Sequence, residues 1–276
     1  MSEQVSLNPN VYQGKNEEMM EVHPTAVVSP GTELAADVII GPYACIGENV
    51  KIGKNTIIGS HVTIEGHTEI GEGNRISPFA SIGSPPQDVG YRGEETRVVI
   101  GDNNVIREYV TINRATAKQD WITEIGNENY IMAYAHIAHD CRLGNSVIMS
   151  NVATLGGHIQ VGDHAILGGL VAVHQFVRIG EYAFLGAKSG IDRDVPPFMI
   201  TAGPRAKLYG VNRKGLMRMG FESRTVDDLK MAYRIIWREN RGFREGVEEA
   251  RRRVRPSREM QLLLDFLQDS KRGILR

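Results

Sequence analysis

One period constrains this chain more than any other feature. Stepping by six from Val22 gives Val28, Leu34, Ile40, Ile46, Ile52, Ile58, Ile64, Ile70, Ile76 and Ile82. The series resumes at Ile100, Ile106 and Ile112. It runs again from Ile125 through Ile131, Ile137, Leu143, Met149, Leu155, Val161, Leu167, Val173, Ile179 and Leu185 to Ile191. Every one of these positions is aliphatic. A helix of period 3.6 has no use for a step of six, and neither does an alternating strand or a β-sandwich. A prism does. Six residues make one flat face and a corner, and three faces close a coil of about 18 residues, with the aliphatic side chains stacked along the axis. The expected class is mainly β, a parallel β-helix of hexapeptide repeats.

The residues around each aliphatic position fit the same picture. Two before it the residue is small, as at Ala44, Thr56, Asn74, Ala80, Ala135, Cys141 and Ala153. Directly after it comes glycine at Gly41, Gly47, Gly53, Gly59, Gly71, Gly83, Gly144, Gly156, Gly162, Gly168, Gly180 and Gly186. The chain holds 30 glycines in 276 residues, more than the roughly 7% of an average protein. We expect these glycines to relieve corners where the backbone is left-handed or strained.

The period breaks twice. Between Ile82 and Ile100 the step is 18, and residues 84–97, including Ser84-Pro85-Pro86-Gln87-Asp88-Val89-Gly90-Tyr91, read as a protruding loop. Between Ile112 and Ile125 the step is 13, one beyond two repeats, and a second loop is expected over 113–124. Excursions from a regular solenoid are where function concentrates. The repeat region covers 22–194, preceded by a polar extension over 1–21 and followed by a linker and helical region over 195–276. There a helix is expected from about Thr225, with Leu229, Ala232, Tyr233, Ile236 and Trp237 on one face. A second carries Phe243, Val247, Ala250 and Val254 to Pro256. A third carries Met260, Leu263, Leu264 and Leu267 to Gly273.

The net charge of −1 conceals an asymmetry. Residues 1–204 hold 13 Lys and Arg against 23 Asp and Glu, whereas 205–276 hold 19 against 10. A basic C-terminal region, rich in arginine from Arg251 to Arg258, suits an acidic partner. No apolar run reaches the length of a membrane span, and the stretch from Met1 to Met20 lacks the apolar core of a secretory signal. The two cysteines, Cys45 and Cys141, make no disulfide framework. A cytoplasmic protein is expected, and nothing points to nucleic acid.

Histidines are the candidate reactive groups. His139 and His158 lie 19 apart, His158 and His174 lie 16 apart, and His136 precedes His139 by three. With three repeats to a coil, these four come to one wall of adjacent coils. Asp140 directly follows His139 and is placed to orient an imidazole. Three readings stand: structural corner histidines, a zinc site between subunits, or a general base working near neutral pH. Zinc lacks a cysteine partner at ligand spacing. Cys141 occupies a small-residue slot and is expected to be buried and inert. Gly156-Gly157 is bare backbone beside His158, where an N–H could face an oxyanion.

The segments Ala135-His136-Ile137-Ala138-His139-Asp140-Cys141, Ala153-Thr154-Leu155-Gly156-Gly157-His158, Ala172-Val173-His174-Gln175-Phe176 and Gly210-Val211-Asn212, with the ending Arg272-Gly273-Ile274-Leu275-Arg276, closely resemble the UDP-N-acetylglucosamine O-acyltransferase family. The resemblance spans about residues 20–276. It implies a left-handed β-helix, against the usual crossover hand, and a homotrimer with sites between subunits. It implies transfer of a 3-hydroxyacyl chain from acyl carrier protein to the 3-position of a UDP-amino sugar, the opening step of lipid A synthesis, with no metal or cofactor. By resemblance His139 is the general base, Asp140 its partner, and Gly157 the oxyanion donor. Asp88, His136 and His158 would hold the sugar. His174, Gln175, Asn212 and Arg218 would hold the nucleotide. Gly90, Lys214 and Met219 stand where the family carries a lysine, an acidic residue and a basic residue, which leaves a 3-amino acceptor open. Ala187 marks the position expected to tune acyl length. Other readings are the sibling N-acyltransferase, a γ-carbonic-anhydrase-like metal protein, and a purely structural or carrier-binding solenoid.

Overall fold

The computed structural model describes residues 21–239 and 242–276, so most of the polar extension read over 1–21 lies outside the described residues. The repeats wind into a left-handed parallel β-helix. Its faces are three sheets of eleven, nine and eight strands among the described residues, nearly all strands being two to four residues long. Nearly every short strand of the repeats ends on its aliphatic residue. Val22 pairs with Ile40 and Ile40 with Ile58 on the first face, and Ile46 with Ile64 on the second. These residues are buried from Ile40 onward and form one continuous core with Val38, Ala44, Val50 and their equivalents two residues earlier. Burying each Ile contributes about 1.5–3 kcal/mol. In the first described coil Val22 stays 36% exposed.

The glycines do a different job from the one expected. The left-handed corner residue sits three after the aliphatic one and is rarely glycine: Asp37, Tyr43, Asn49, Asn55, His61, Phe79, Asp140 and His158 all have φ between 56 and 64°. Among the glycines that directly follow an aliphatic residue, only Gly83 has a positive φ (+80°). At most of the others the next coil lies too close for a side chain. A Cβ at Gly53 would fall 2.6 Å from the Gly71 backbone, and one at Gly180 would fall 2.3 Å from Pro197 N. Strand stacking, rather than corner strain, selects them.

Aromatic rings at one corner stack in a column, Tyr43 on His61, Phe79, Tyr109 and Tyr134, with centroids 4.8–5.1 Å apart. Inside another corner a polar column replaces the small aliphatics. Asn74 Oδ1 accepts from Asn104 N and Nδ2, Asn104 Oδ1 from Asn129 N, and Asn129 Oδ1 from Val147 N.

The two excursions lengthen single coils. An ordinary coil joins Ile137 to Leu155. The first excursion stretches the coil that joins Ile82 to Ile112, and the second stretches the one that joins Ile112 to Ile137. The step of 13 is therefore one repeat plus a seven-residue excursion, not two repeats plus one. The excursions are tied together. Arg114 donates to Gly83 O (2.8 Å) and to Tyr91 Oη (3.0 and 3.1 Å), and Asn113 Nδ2 donates to Pro85 O (3.0 Å).

Past Ile191 the chain makes an antiparallel pair, Met199–Ala202 with Lys207–Val211. Four helices follow: α1 (Arg213–Arg218), α2 (Ser223–Trp237), α3 (Phe243–Arg253) and α4 (Arg258–Gln268). The hairpin and α1 escaped sequence reading because both are short. Helix α2 starts two residues before Thr225 and has no side-chain cap, whereas Ser257 caps α4 by accepting from Met260 N. The helices share a second core built on Phe198, Leu216, Leu229, Ile235 and Leu263. The tail returns to the prism, where Ile274 bridges Asp194 and Ser270 Oγ donates to Asp194 Oδ2 (2.8 Å). No helix among the described residues is long and apolar enough to cross a membrane.

Candidate active site

Ile137 stacks on Leu155 and Leu155 on Val173. That register puts His139, Gly157 and Gln175 in one column and Asp140, His158 and Phe176 in the next. The four histidines therefore occupy different columns, and the structure brings only part of the set together. Asp140 and His158 are both left-handed corner residues. That turn lets Asp140 fold back on its own neighbour: Asp140 Oδ2 lies 2.8 Å from His139 Nδ1. The His139 and His158 rings meet edge to face at 5.1 Å, and His158 stacks flat on Phe176 at 4.4 Å. His136 lies on the strand before this corner, its Nδ1 2.7 Å from Thr111 Oγ1. His174 lies elsewhere on the wall, its Nδ1 2.8 Å from Arg272 Nη2, a guanidinium delivered by the returning tail.

The second excursion supplies what the sequence did not flag. Buried Thr116 donates to Asp140 through its N–H (3.1 Å) and its hydroxyl (2.8 Å). Asp140 N in turn donates to Thr123 Oγ1 (2.9 Å). Gln119 Oε1 lies 2.8 Å from His158 Nδ1. Burial opposes the charge on Asp140, but the bonds from His139 and Thr116 prevail and hold its carboxyl below the usual carboxylate range. Burial pushes the His158 imidazole down, and the Asp140 charge only partly offsets this. Burial, with the nearby His139, pushes His136 down as well. Cys141 is fully buried and its thiol is pushed up to about 12.

Gly157 lies against His139. A Cβ there would fall 2.5 Å from His139 Cε1 and 2.8 Å from Nε2. The Gly157 N–H meets no backbone or side-chain acceptor among the described residues. With Nδ1 committed to Asp140, His139 has Nε2 to offer a substrate, and the Cε1–Nε2 edge of its ring lies nearest the Gly157 position. His139, Asp140 and His158 put ligand atoms within 4.8 Å of one another, close enough for a metal ion. Asp140 Oδ2 already receives His139 and the Thr116 hydroxyl, however, an arrangement that orients a base.

The remaining predicted residues divide by location. Asp88, in the first excursion, is held by Gly90 N (2.6 Å) and by Lys118 Nζ, and these contacts keep its carboxyl low. Gln175 is exposed beside His174. Asn212 caps α1 by accepting from Gly215 N (3.2 Å) and donates to Tyr182 O (3.1 Å), while Arg218 is exposed in the last turn of α1. Tyr182 belongs to a different corner column from His158, so Asn212 and Arg218 do not meet His139 within one chain. In the C-terminal region Arg252, Arg253 and Arg255 pair with Glu249, Glu239 and Asp228, which trims the basic face expected there.

Comparison with known proteins identifies the family. Residues 194–275 match the family model for UDP-N-acetylglucosamine O-acyltransferase, domain 2, and residues 49–84 match the bacterial transferase hexapeptide model of six repeats. The acyl-[acyl-carrier-protein]–UDP-N-acetylglucosamine O-acyltransferase of Thermodesulfovibrio yellowstonii is 54% identical over 94% of this chain and 100% of its own length. The crystal structure of the UDP-N-acetylglucosamine O-acyltransferase of Moraxella catarrhalis is 42% identical, with a TM-score of 0.89 over 92% of this chain and 99% of that one. The UDP-N-acetylglucosamine acyltransferase of Bacteroides fragilis superposes with a TM-score of 0.91 at 38% identity, over 92% of this chain and 100% of that one. With full-length identity, fold and both sequence models in agreement, the chain belongs to the UDP-N-acetylglucosamine O-acyltransferase family.

Proposed function

We propose that this protein transfers a 3-hydroxyacyl chain from the thioester of acyl carrier protein to the 3-hydroxyl of UDP-N-acetylglucosamine, the reaction that opens lipid A synthesis. The observation that carries the mechanism is His139, tied through Nδ1 to Asp140 with the Cε1–Nε2 edge of its ring against Gly157. In the reaction His139 Nε2 takes the proton of the sugar 3-hydroxyl as that oxygen attacks the thioester carbonyl carbon. The Gly157 N–H donates to the oxyanion that forms. Collapse breaks the carbon–sulfur bond, and the leaving thiolate takes the proton back from His139. The ionised Asp140 stabilises the imidazolium between these steps. No covalent enzyme intermediate is needed.

The protein works as a cytoplasmic homotrimer. Asn212 and Arg218 sit at a different corner from His139, so they serve a nucleotide held by His174 and Gln175 only across a subunit boundary. The exposed rings of Tyr43, Phe79, Tyr109 and Tyr134 offer an apolar strip for such packing. Asp88, His136 and His158 hold the sugar, and the basic C-terminal region steers the acidic carrier protein. The test is acyl transfer by purified His139→Ala. We expect a loss of about 10²–10⁴-fold in kcat with folding intact. Activity near that of the unmodified protein removes His139 as the base.

A further inference from the structure

We propose that Lys118 is a substrate-binding residue for the nucleotide sugar, supplying from the second excursion an ammonium that the first excursion lacks. The inference rests on the acyl-transfer reading above. Lys118 Nζ contacts Asp88 Oδ2 and so joins the two excursions at the mouth of the site. Asp88 is inward, with its side chain 13% exposed, whereas the Lys118 side chain remains 59% exposed. Gly90 N donates to the other oxygen of Asp88, so the carboxylate is fixed in place. An ammonium carries three N–H donors, and Asp88 takes one, leaving two for a ligand.

Three observations aim this ammonium at the site rather than at bulk solvent. Its own loop is anchored in the catalytic group, because Thr116, which donates to Asp140, also accepts from Lys118 N (3.3 Å). The next residue, Gln119, contacts His158. Gly90 borders the ammonium: a Cβ there would lie 2.9 Å from Asp88 Oδ1, 3.5 Å from Lys118 Nζ and 3.8 Å from its Cε, so a side chain at 90 would run beside Lys118. A lysine at position 90 would therefore bring an ammonium to the same neighbourhood as the one at 118. An isolated exposed ion pair adds little stability, so the pair is better explained by where it holds a positive charge than by what it adds to folding. The matching ligand is an oxygen-rich, anionic nucleoside-diphosphate sugar.

The experiment is calorimetric titration of UDP-N-acetylglucosamine into the full-length protein, Lys118→Ala and the double variant Lys118→Ala/Gly90→Lys, alongside steady-state kinetics. We expect Lys118→Ala to weaken binding and raise the KM for the nucleotide sugar by about tenfold or more, the loss of one charge-assisted hydrogen bond. Its melting temperature and its KM for acyl carrier protein should hold. The double variant should recover most of the affinity. Lys118→Ala binding as tightly as the unmodified protein overturns the proposal, and so does a double variant that stays weak. Unmodified protein that binds the sugar without transferring an acyl chain removes the activity reading alone. Unmodified protein that does not bind it removes both.

Discussion

The missing side chain of Gly157 is the space that the His139 ring occupies. A Cβ at 157 would lie 2.5 Å from His139 Cε1, 2.8 Å from Nε2 and 3.0 Å from Nδ1. The backbone at 157 is outside the left-handed region, so a substitution there acts on the imidazole and not on the turn. Gly157→Ala should fold but lose at least about a hundredfold in kcat, because an error of about 1 Å at a reacting group costs that much. Circular dichroism melting beside an acyl-transfer assay decides it. Normal turnover would mean that the ring does not work in this position.

Asp140→Asn keeps the shape and removes the charge that holds the His139 tautomer. Its amide oxygen can take the place of Oδ2 toward Thr116 and His139 but brings no charge to an imidazolium. We expect kcat to fall by about a hundredfold or more with little change in the KM for the sugar. A rise in KM at constant kcat would instead assign Asp140 to substrate binding.

The imidazoles of His136 and His158 are both held down, mainly by burial. Each should stay neutral below the ordinary histidine value of about 6.5. Between that value and their lowered native ones the unfolded chain binds protons that the folded chain refuses. Stability is therefore full above pH ~6.5 and declines as pH falls through this window. Nitrogen-detected NMR titration should find both rings changing below ~6.5, and the melting temperature should drop on acidification toward pH ~5. Rings that titrate above the ordinary value would contradict this assignment.

The buried asparagine column is a stability element apart from the site. Asn104 accepts from Asn129 N (2.9 Å) and donates to Asn74 Oδ1 (3.0 Å). Asn104→Ala strands a buried N–H, at a cost of about 1–3 kcal/mol. The melting temperature should fall while room-temperature turnover is kept. A variant that melts like the unmodified protein would show that the column carries no net stability.

Much of this molecule was legible in one dimension. The step of six fixes which side chain faces the axis, because a prism face has room for one inward aliphatic residue per repeat. The three-repeat coil then assigns every residue to a column by arithmetic, and with the motif this picked out His139, Asp140, Gly157 and His158. Two things were decided only in three dimensions. The glycines after the aliphatic residues are set by the distance to the next coil, as at Gly53 and Gly180, and single-chain periodicity carries no such distance. The excursions have no period at all. That Thr116 completes Asp140, Gln119 meets His158 and Lys118 reaches Asp88 depends on how two unequal insertions fold back over one corner, pinned by Arg114 and Tyr91. The repeat builds the wall and places His139 on it. Contacts between segments far apart along the chain, which no local pattern encodes, finish the site.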